Sequence, residues 1–347
     1  MKNMMTVVRL VEIGKVALSQ EPIPHPLPSE VLVQVKTVGI CGSDSHYFLH
    51  GGLGSFKSKL PLSFGHEAAG VVVNPGNTKW QKGDRVAIDP NNNCGNCYYC
   101  LKGQHNLCIN TNYLGANNYP GALQEYITVS PHQLVYITPT ISFAEAALLE
   151  PFSVALHAIN LTKINIGDTV AIYGAGAIGL CLLACCKLAG AQNVIVIDQF
   201  SHRLQLAKKQ FGASFVINTG TKDDSVEQIK NTTNGTGVDI SIDAVGAQVT
   251  FANCLKATKP GGKLLLVGIP TQDYLQYNPH IARTKELLLI NSRRSNQTLE
   301  TAVHLLNNKQ INLRQLITHT FPITKSQLAF ETAALYKDKV IKTIISL

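Results

Sequence analysis

Four cysteines stand close together in the segment CGNCYYCLKGQHNLC. They are spaced at three, three and eight positions, as Cys94, Cys97, Cys100 and Cys108. Two-residue gaps allow consecutive thiolates to reach one metal ion, and the longer loop returns the fourth ligand. Four sulfur ligands close a tetrahedral zinc without an open position, so the pattern predicts a structural zinc site. An iron–sulfur cluster, a four-cysteine nucleic-acid finger and unrelated structural cysteines are the alternatives.

Cys41, His66 and Glu67 are further candidate metal ligands, in the segments GICGSDSHYF and FGHEAAG. Zinc accepts thiolate, imidazole and carboxylate ligands, and three protein ligands keep a fourth position open for water or substrate. If the three reach one ion, they form the ligand set of a catalytic zinc. Taken singly, Cys41 is typical of a small buried side chain and His66 of a hydrogen-bonded loop histidine. Because 25 residues separate Cys41 from His66, only the fold can bring them together.

The segment TVAIYGAGAIGL contains a G-x-G-x-x-G motif. It is formed by Gly174, Gly176 and Gly179, with Ile178 before the last glycine. A predicted strand precedes the motif and a predicted helix follows it, which is the context of a dinucleotide-binding turn. The glycines would allow the tight turn, the approach of a pyrophosphate and close packing of helix on strand.

The second predicted strand of this region ends at Asp198, 19 residues after Gly179. A carboxylate there can accept hydrogen bonds from both hydroxyls of an adenosine ribose and would repel a 2′-phosphate. The sequence therefore favours NAD over NADP. Arg203, five residues later, is a second candidate contact to the cofactor and weakens that preference. The alternative is a glycine-rich turn followed by a surface aspartate.

The predicted secondary structure that positions these residues changes its pattern near residue 165. Before it, short β-branched runs are separated by Pro and Gly, which predicts an antiparallel, barrel-like unit. After it, apolar strands alternate with helices, which predicts an α/β unit with a doubly wound parallel sheet. The predicted strands are 31–40, 68–73, 85–89, 125–129, 169–174, 194–198, 214–218, 238–243, 262–268 and 287–292.

The end of the chain predicts a return to the first unit. A helix is expected near 298–307, and the tail VIKTIISL is typical of a strand. We expect this strand to join the first unit. The predicted domains are therefore 1–154 completed by 295–347, and a nucleotide-binding domain over 155–294.

Length and composition exclude several classes of protein. The 347 residues suggest two domains, and 45% hydrophobic residues exclude a mainly disordered chain. No uncharged apolar run reaches the roughly 18 residues that cross a membrane. The net charge is +8, but no Lys/Arg run exceeds two residues, so no nucleic-acid-binding arm is predicted. The N-terminus lacks the pattern of a secretory signal, so we expect a reducing, cytoplasmic location for the nine cysteines.

Six segments occur in order along the chain and carry a family resemblance. They are GICGSDSHYF, GHE, GDRVAIDP, the four-cysteine segment, ALLEPFSVALHA and YGAGAIG. Together they resemble the zinc-dependent medium-chain dehydrogenase/reductase family, especially its sorbitol (polyol) and sugar-acid dehydrogenases, such as L-idonate, L-gulonate and L-galactonate 5-dehydrogenases. The resemblance implies a GroES-like, mostly antiparallel β-barrel catalytic domain beside a Rossmann domain, with the active site in the cleft.

The resemblance also implies roles for single residues. Cys41, His66 and Glu67 match ligands of the catalytic zinc, and Glu150 matches a glutamate that approaches this zinc directly or through its water. The four cysteines match the ligands of a structural zinc, giving two zinc ions per chain.

Residues around these ligands match further positions of the family. Ser43 and His46 match the hydroxyl and imidazole of a proton path. Tyr47 and Arg294 match positions in the substrate pocket.

The implied reaction is the NAD-linked oxidation of a secondary hydroxyl of a polyol or sugar acid, or its reverse. The implied assembly is a homodimer or homotetramer that binds a small-molecule substrate and neither nucleic acid nor membrane. Oxidation of an amino alcohol, as by an L-threonine 3-dehydrogenase, remains open. Non-enzymatic alternatives are an NAD-sensing protein and a zinc-finger binding protein.

Overall fold

The computed structural model describes residues 3–116 and 119–347. By its internal contacts the chain divides into two units, 1–153 with 296–347, and 154–295. The helix Leu149–Thr162 runs through the first of these boundaries. In the described part of the chain, no helix combines the length and the apolar character needed to cross a membrane.

The first unit begins with short strands and few helices. Its strands are β1 (Met4–Glu12), β2 (Lys15–Pro22), β3 (Val31–Gly39), β4 (Gly52–Leu53), β5 (Phe56–Lys57), β6 (Leu62–Ser63), β7 (Glu67–Asn74), β8 (Arg85–Ile88), β9 (Asn91–Asn92), β10 (Asn112–Tyr113), β11 (Tyr126–Val129) and β12 (Leu134–Tyr136). Its helices are α1 (Gly42–His50), α2 (Tyr98–Leu101) and α3 (Phe143–Ala147), and α4 (Leu149–Thr162) begins in this unit and continues into the second.

The second unit alternates strands with helices. Its elements are β13 (Thr169–Tyr173), α5 (Ala177–Leu188), β14 (Asn193–Asp198), α6 (Ser201–Lys209), β15 (Phe215–Asn218), α7 (Ser225–Thr232), β16 (Val238–Asp243), α8 (Gln248–Ala257), β17 (Thr258–Leu266), α9 (Pro279–Thr284) and β18 (Leu288–Asn291). The chain then returns to the first unit through α10 (Leu299–Asn307), β19 (Ile317–Pro322), α11 (Ser326–Ala334) and β20 (Lys342–Ser346).

The main sheet of the first unit has the strand order β12-β8-β7-β3-β20-β19, and β11 also pairs with β3. Its pairs are antiparallel except β19 with β20. A smaller sheet has the order β2-β1-β6. The valines of β3 are buried, and Phe330 of α11 stacks on Phe64 with 4.5 Å between ring centroids. The C-terminal strand thus joins the first unit beside β3, as the sequence predicts.

The sheet of the second unit is parallel, in the order β15-β14-β13-β16-β17-β18. From β13 the chain adds β14 and β15 on one side, and it then returns to the other side of β13 to add β16, β17 and β18. The strand order therefore reverses between β13 and β16, and ligands bind at the carboxyl ends of strands beside such a reversal. The predicted fold class, a Rossmann sheet plus a mostly antiparallel barrel-like domain, is confirmed. Most strand bounds differ from the predicted ones by one or two residues, and the largest difference is in β17, which begins at Thr258 and not at 262.

Candidate active site

Cys41 lies where a strand ends and a helix begins. β3 ends at Gly39, and α1 begins at Gly42 with Cys41 as its N-cap residue. The backbone N–H of Cys41 donates to Oδ2 of Asp44 at 2.9 Å, which fixes the first turn of the helix. Asp44 is fully buried, and its Oδ1 lies 3.7 Å from Nδ1 of His66. The start of α1 therefore holds a thiol and a buried carboxylate near His66.

Strand pairing brings His66 and Glu67 to the same place. β7 begins at Glu67, and its antiparallel pairing with β3 puts Glu67 opposite Gly39. A Cβ at position 39 would overlap Oε2 of Glu67, so the glycine leaves room for this carboxylate. The candidate ligand atoms of Cys41, His66 and Glu67 all lie within 4.8 Å of one another. The fold thus brings Cys41 to the adjacent pair His66 and Glu67, which lies 25 residues further along the chain.

A lysine from the C-terminal strand holds the Glu67 carboxylate. Lys342 Nζ donates to both carboxylate oxygens of Glu67, at 2.7 and 2.8 Å, and to the carbonyl of Ile40 at 3.0 Å. Lys342 is 4% exposed and Glu67 is 0% exposed. The pairing of β20 with β3 brings Lys342 there. Sequence reasoning missed this residue, although one lysine in the apolar tail VIKTIISL was a signal of a buried charge pair.

Glu150 borders this group. It lies in the first turn of α4, is 4% exposed, and its Oε1 accepts a hydrogen bond from the Tyr113 hydroxyl at 3.3 Å. The Tyr113 ring lies 5.4 Å from the His66 ring, measured between centroids. Among the residues that the structure describes, Glu150 is not part of the group whose ligand atoms lie within 4.8 Å of one another. Tyr113 was not a sequence candidate, because nothing local links it to Glu150.

The electrostatics of this group favour a cation. Burial raises the pKa of Glu150 to about 7, although His66 opposes the rise. The pKa of His66 is well above its usual range: burial lowers it, but the negative charges of Asp44, Cys41 and Glu150 outweigh that effect. A divalent ion would compensate these negative charges. Thiolate, imidazole and carboxylate donors within reach of one point fit zinc.

The predicted proton-path and substrate residues are placed as follows. Ser43, His46 and Tyr47 all lie on α1; the first two are half-buried, whereas Tyr47 is 4% exposed and packs in the hydrophobic core. Burial lowers the pKa of His46, and nearby His50 lowers it further. The neutral imidazole that results is able to accept a proton. Arg294 belongs to the second unit, follows β18, and has a left-handed backbone conformation with φ of 58°.

The four cysteines form a second group of ligand atoms, again within 4.8 Å of one another. Sγ of Cys94 and Sγ of Cys108 are 3.5 Å apart, close to the roughly 3.8 Å edge of a tetrahedron with zinc–sulfur bonds of about 2.3 Å. Hydrogen bonds from backbone amides, above all that of Cys100, lower the pKa of Cys97 to about 6 and so favour its thiolate. This donor set also fits zinc.

The glycine motif forms a tight turn between β13 and α5. Gly174 has a φ of 101°, and its N–H donates to the carbonyl of Ile197 at 2.8 Å. Gly176 is the N-cap residue of α5, and Ile178 lies half-buried in its first turn. A Cβ on Gly179 would overlap the carbonyl oxygen of Gly174, so the helix can pack this closely only with glycine there. A Cβ on Gly176 would meet only Nη1 of Arg203, at 3.8 Å, so the backbone at the helix start leaves room for a phosphate.

Asp198 lies at the end of β14, beside this turn. Its Oδ2 accepts from the Ala175 N–H at 2.7 Å, and its Oδ1 accepts from the Phe200 N–H at 2.8 Å. Arg203 Nη1 lies 3.8 Å from Oδ2, and the Arg203 guanidinium stacks 4.8 Å from the Phe200 ring centroid. An aspartate and an arginine thus lie together at the position that recognises the adenosine ribose in dinucleotide-binding folds.

Comparison with known proteins agrees with this geometry. Residues 27–139 match the model of the alcohol dehydrogenase GroES-like domain, and residues 177–308 match that of zinc-binding dehydrogenases. The chain is 35% identical to sorbitol dehydrogenase of Bacillus subtilis (strain 168) over 326 residues, which are 93% of this chain and 92% of that protein. It is also 35% identical to L-idonate 5-dehydrogenase of Vitis vinifera, covering 90% of this chain and 87% of that one.

A solved structure is similar over the whole chain. It is a zinc-binding dehydrogenase from Sinorhizobium meliloti 1021 bound to NADP, 30% identical, with a TM-score of 0.91 and full coverage of both chains. The chain therefore belongs to the zinc-dependent medium-chain dehydrogenase/reductase family. It is a zinc-dependent alcohol dehydrogenase that uses a nicotinamide cofactor.

Proposed function

We propose that this enzyme oxidises a secondary hydroxyl of a polyol or sugar acid with NAD, or reduces the corresponding ketone with NADH. The observation that carries the proposal is the group of Cys41, His66 and Glu67, whose ligand atoms lie within 4.8 Å of one another. Similarity to a sorbitol dehydrogenase and an L-idonate 5-dehydrogenase supports the substrate class.

Each chain would hold two zinc ions. Cys41, His66 and Glu67 would bind the catalytic ion, and Glu150 would be an additional acidic group that contacts it directly or through a water molecule. Cys94, Cys97, Cys100 and Cys108 would bind the structural ion and leave it no open position. The donor types and the spacing of ligand atoms support both assignments.

The catalytic zinc, when bound, would supply a Lewis acid that lowers the pKa of the substrate hydroxyl. A bound nicotinamide would supply the hydride acceptor. The residues of the chain hold the substrate and move its proton. Ser43 and His46 would receive the hydroxyl proton, since burial keeps the imidazole of His46 neutral and able to accept it. Glu150, with a pKa of about 7 in the metal-free protein, is a second acceptor.

Asp198 supports NAD as the cofactor. Its two oxygens are held by the amides of Ala175 and Phe200, so the carboxylate is fixed at the edge of the glycine turn. A fixed negative charge disfavours a 2′-phosphate. Arg203 lies beside Asp198 and would contact the ribose or the adenine side of the cofactor.

Tyr47 and Arg294 remain the proposed substrate contacts. A guanidinium at Arg294 would pair with the carboxylate of a hexonate and would also hydrogen-bond the hydroxyls of a neutral polyol. The proposed assembly is a homodimer or homotetramer, which light scattering of the purified protein distinguishes from a monomer.

The direct test is NAD reduction by zinc-loaded protein with sorbitol, xylitol, L-gulonate, L-idonate, L-galactonate and L-threonine. Turnover of polyols or hexonates supports the proposal and separates its two substrate classes. Selective turnover of L-threonine would overturn the substrate class in favour of an amino alcohol. Repeating the panel with NADP tests the cofactor preference.

A further inference from the structure

The four-cysteine loop is held by an asparagine from the chain segment that returns to the first unit. Asn296 Oδ1 accepts from the backbone N–H of His105 at 3.0 Å, and Asn296 Nδ2 donates to the carbonyl of Gly103 at 2.9 Å. Gly103 and His105 lie between Cys100 and Cys108 in the chain. Because both ends of the amide are used, Asn296 fixes the loop in one orientation.

The two residues after Asn296 extend this contact. Gln297 Nε2 lies 3.0 Å from Nδ1 of His105. Thr298 Oγ1 donates to the carbonyl of Ser153 at 2.7 Å, and the Thr298 and Ser153 side chains are buried. Three consecutive side chains, Asn296–Thr298, thus connect the four-cysteine loop to helix α4. We call this segment the strap.

The end of the strap on α4 is close to the candidate active site. Ser153 is one turn after Glu150, and its hydroxyl donates to the Glu150 carbonyl at 2.6 Å. The hydrogen bond from Thr298 to Ser153 and that from Ser153 to Glu150 therefore both restrain the first turn of α4. That turn also presents the Glu150 side chain, whose Oε1 is bonded to Tyr113.

The backbone of the strap is in a restrained conformation. Gln297 has a φ of 55°, in the left-handed region that a glutamine rarely adopts. Such a conformation persists only where surrounding contacts fix it. The bonds to Gly103, His105 and Ser153 are those contacts, so a change at one end of the strap alters the restraint at the other.

The four-cysteine loop has little packing of its own to keep it ordered. Its apolar residues are largely exposed: Tyr98 by 63%, Leu101 by 76% and Ile109 by 72%. The backbone at Gly103 and His105 is therefore kept in place by metal binding at the flanking cysteines and by the hydrogen bonds of Asn296. Metal in the loop and the Asn296 bonds stabilise the same loop conformation.

We propose that Asn296 is a positioning residue that couples the metal-loaded four-cysteine loop to the first turn of α4 and so to the placement of Glu150. This rests on the proposed occupancy of the four cysteines by zinc. The coupling is reciprocal: order in α4 slows metal loss from the loop, and metal in the loop steadies α4.

The test compares Asn296→Ala with Asn307→Ala in the zinc-loaded protein. Asn307 is the matched control, because it is in the same returning segment and its Oδ1 accepts from Thr138 at 2.7 Å, a residue of neither the four-cysteine loop nor α4. The first measurement is the rate at which a chelator removes zinc from the four cysteines, followed by alkylation of the freed thiols and mass spectrometry. Asn296→Ala should speed this release about tenfold, since two hydrogen bonds are lost, and Asn307→Ala should not.

The second measurement is hydrogen exchange of the amides in the first turn of α4, without substrate. Asn296→Ala should speed this exchange. Thr298→Val should speed it too, because it breaks the bond to Ser153. Since the coupling is reciprocal, it should also speed zinc release, but by less than Asn296→Ala, because both Asn296 bonds to the loop are kept. Asn296→Asp keeps the acceptor for His105 and should give intermediate release, and it replaces the alanine variant if that fails to fold.

Unchanged zinc release in Asn296→Ala, from a wild type with two zinc ions, would overturn this proposal alone. Faster release with unchanged exchange in α4 would also overturn it, because Asn296 would then act on the loop only. A wild type with no zinc on the four cysteines would overturn the two-zinc assignment together with this proposal. Substrate turnover reports on neither outcome, so the substrate panel remains an independent test.

Discussion

Lys342 Nζ lies 2.7 and 2.8 Å from the two carboxylate oxygens of Glu67, and both side chains are buried. The lysine comes from the last strand of the chain and the glutamate from the first residue of β7. The carboxylate therefore has a cationic partner before any metal binds. Glu67 therefore has two roles. Its ion pair with Lys342 stabilises the fold, and its position beside Cys41 and His66 makes it a proposed zinc ligand.

Lys342→Met removes the ammonium and keeps most of the stem. In chelator-treated protein it should lower the free energy of unfolding by about 3–5 kcal/mol, because a buried carboxylate is left unpaired. With zinc bound the loss should be smaller, since the metal compensates the same charge. Denaturant unfolding with and without chelator measures both values.

Lys337→Met is the control for that change. Lys337 Nζ lies 3.4 Å from Oε2 of Glu331, and the two side chains are 45% and 35% exposed. A surface pair of this kind contributes at most about 1 kcal/mol. Equal losses in the two variants would contradict the role given to the Lys342–Glu67 pair.

Cys41→Ser and Cys97→Ser should each remove one zinc ion, with different consequences. Cys41→Ser, like His66→Ala, should abolish turnover while the fold survives, because Lys342 still pairs with the buried Glu67 carboxylate when the ion is lost. Cys97→Ser should lower the midpoint by roughly 5–10 °C, as a loss of about 2–3 kcal/mol does in a domain of this size. Metal analysis and thermal unfolding of both proteins check this. Full turnover in Cys41→Ser would refute the catalytic assignment, and an unchanged midpoint in Cys97→Ser the structural one.

Sequence motifs predicted those sites whose residues are close together both in the chain and in the structure. The turn from Gly174 to Gly179 is built within one strand–helix junction, so its sequence carries its geometry. The four cysteines also lie within one loop, and their spacing sufficed to place them together. The alternation of strands and helices predicted the parallel sheet for the same reason, since each β–α step is a contiguous segment.

The active-site group could be predicted only through the family resemblance. Cys41 meets Glu67 because β3 and β7 pair in one register, and a shift by one residue would turn the carboxylate away. Lys342 and Tyr113 reach the site from elements far along the chain, and neither belongs to a recognisable motif. Long-range pairing is not encoded in the spacing of residues, so these two partners required the structure.

Asp198→Ala should raise the KM for NAD by about 10- to 100-fold, because charge-assisted hydrogen bonds to the ribose are lost. NADP should be affected less, since the repulsion of its 2′-phosphate is also removed. Asp198→Asn removes the charge and keeps one acceptor oxygen, so it can accept from only one of the Ala175 and Phe200 amides. Initial rates with both cofactors provide the comparison. An unchanged NAD/NADP ratio in both variants would remove Asp198 from ribose recognition.

Glu150 should make the metal-free protein less stable as the pH rises. Burial raises its pKa in the folded state to about 7, above the ordinary value of 4.5. Between these two values the folded state keeps a proton that the unfolded state has released, so the free energy of unfolding falls with rising pH. A difference of this size corresponds to about 3–4 kcal/mol, fully present below pH 4.5 and lost as the pH rises to 7 and above.

Glu150→Gln tests this directly, because the amide fills the same space and does not titrate. In chelator-treated protein, the variant should gain stability relative to the wild type between pH 5 and pH 8, by about 2–3 kcal/mol. Urea unfolding of the two proteins across that range measures the difference at each pH. The Tyr113 hydroxyl can donate to the remaining carbonyl oxygen of the amide, so the hydrogen bond to this side chain is kept. A difference that stays constant with pH would show that Glu150 is ionised in the folded state throughout, with a partner that offsets its burial.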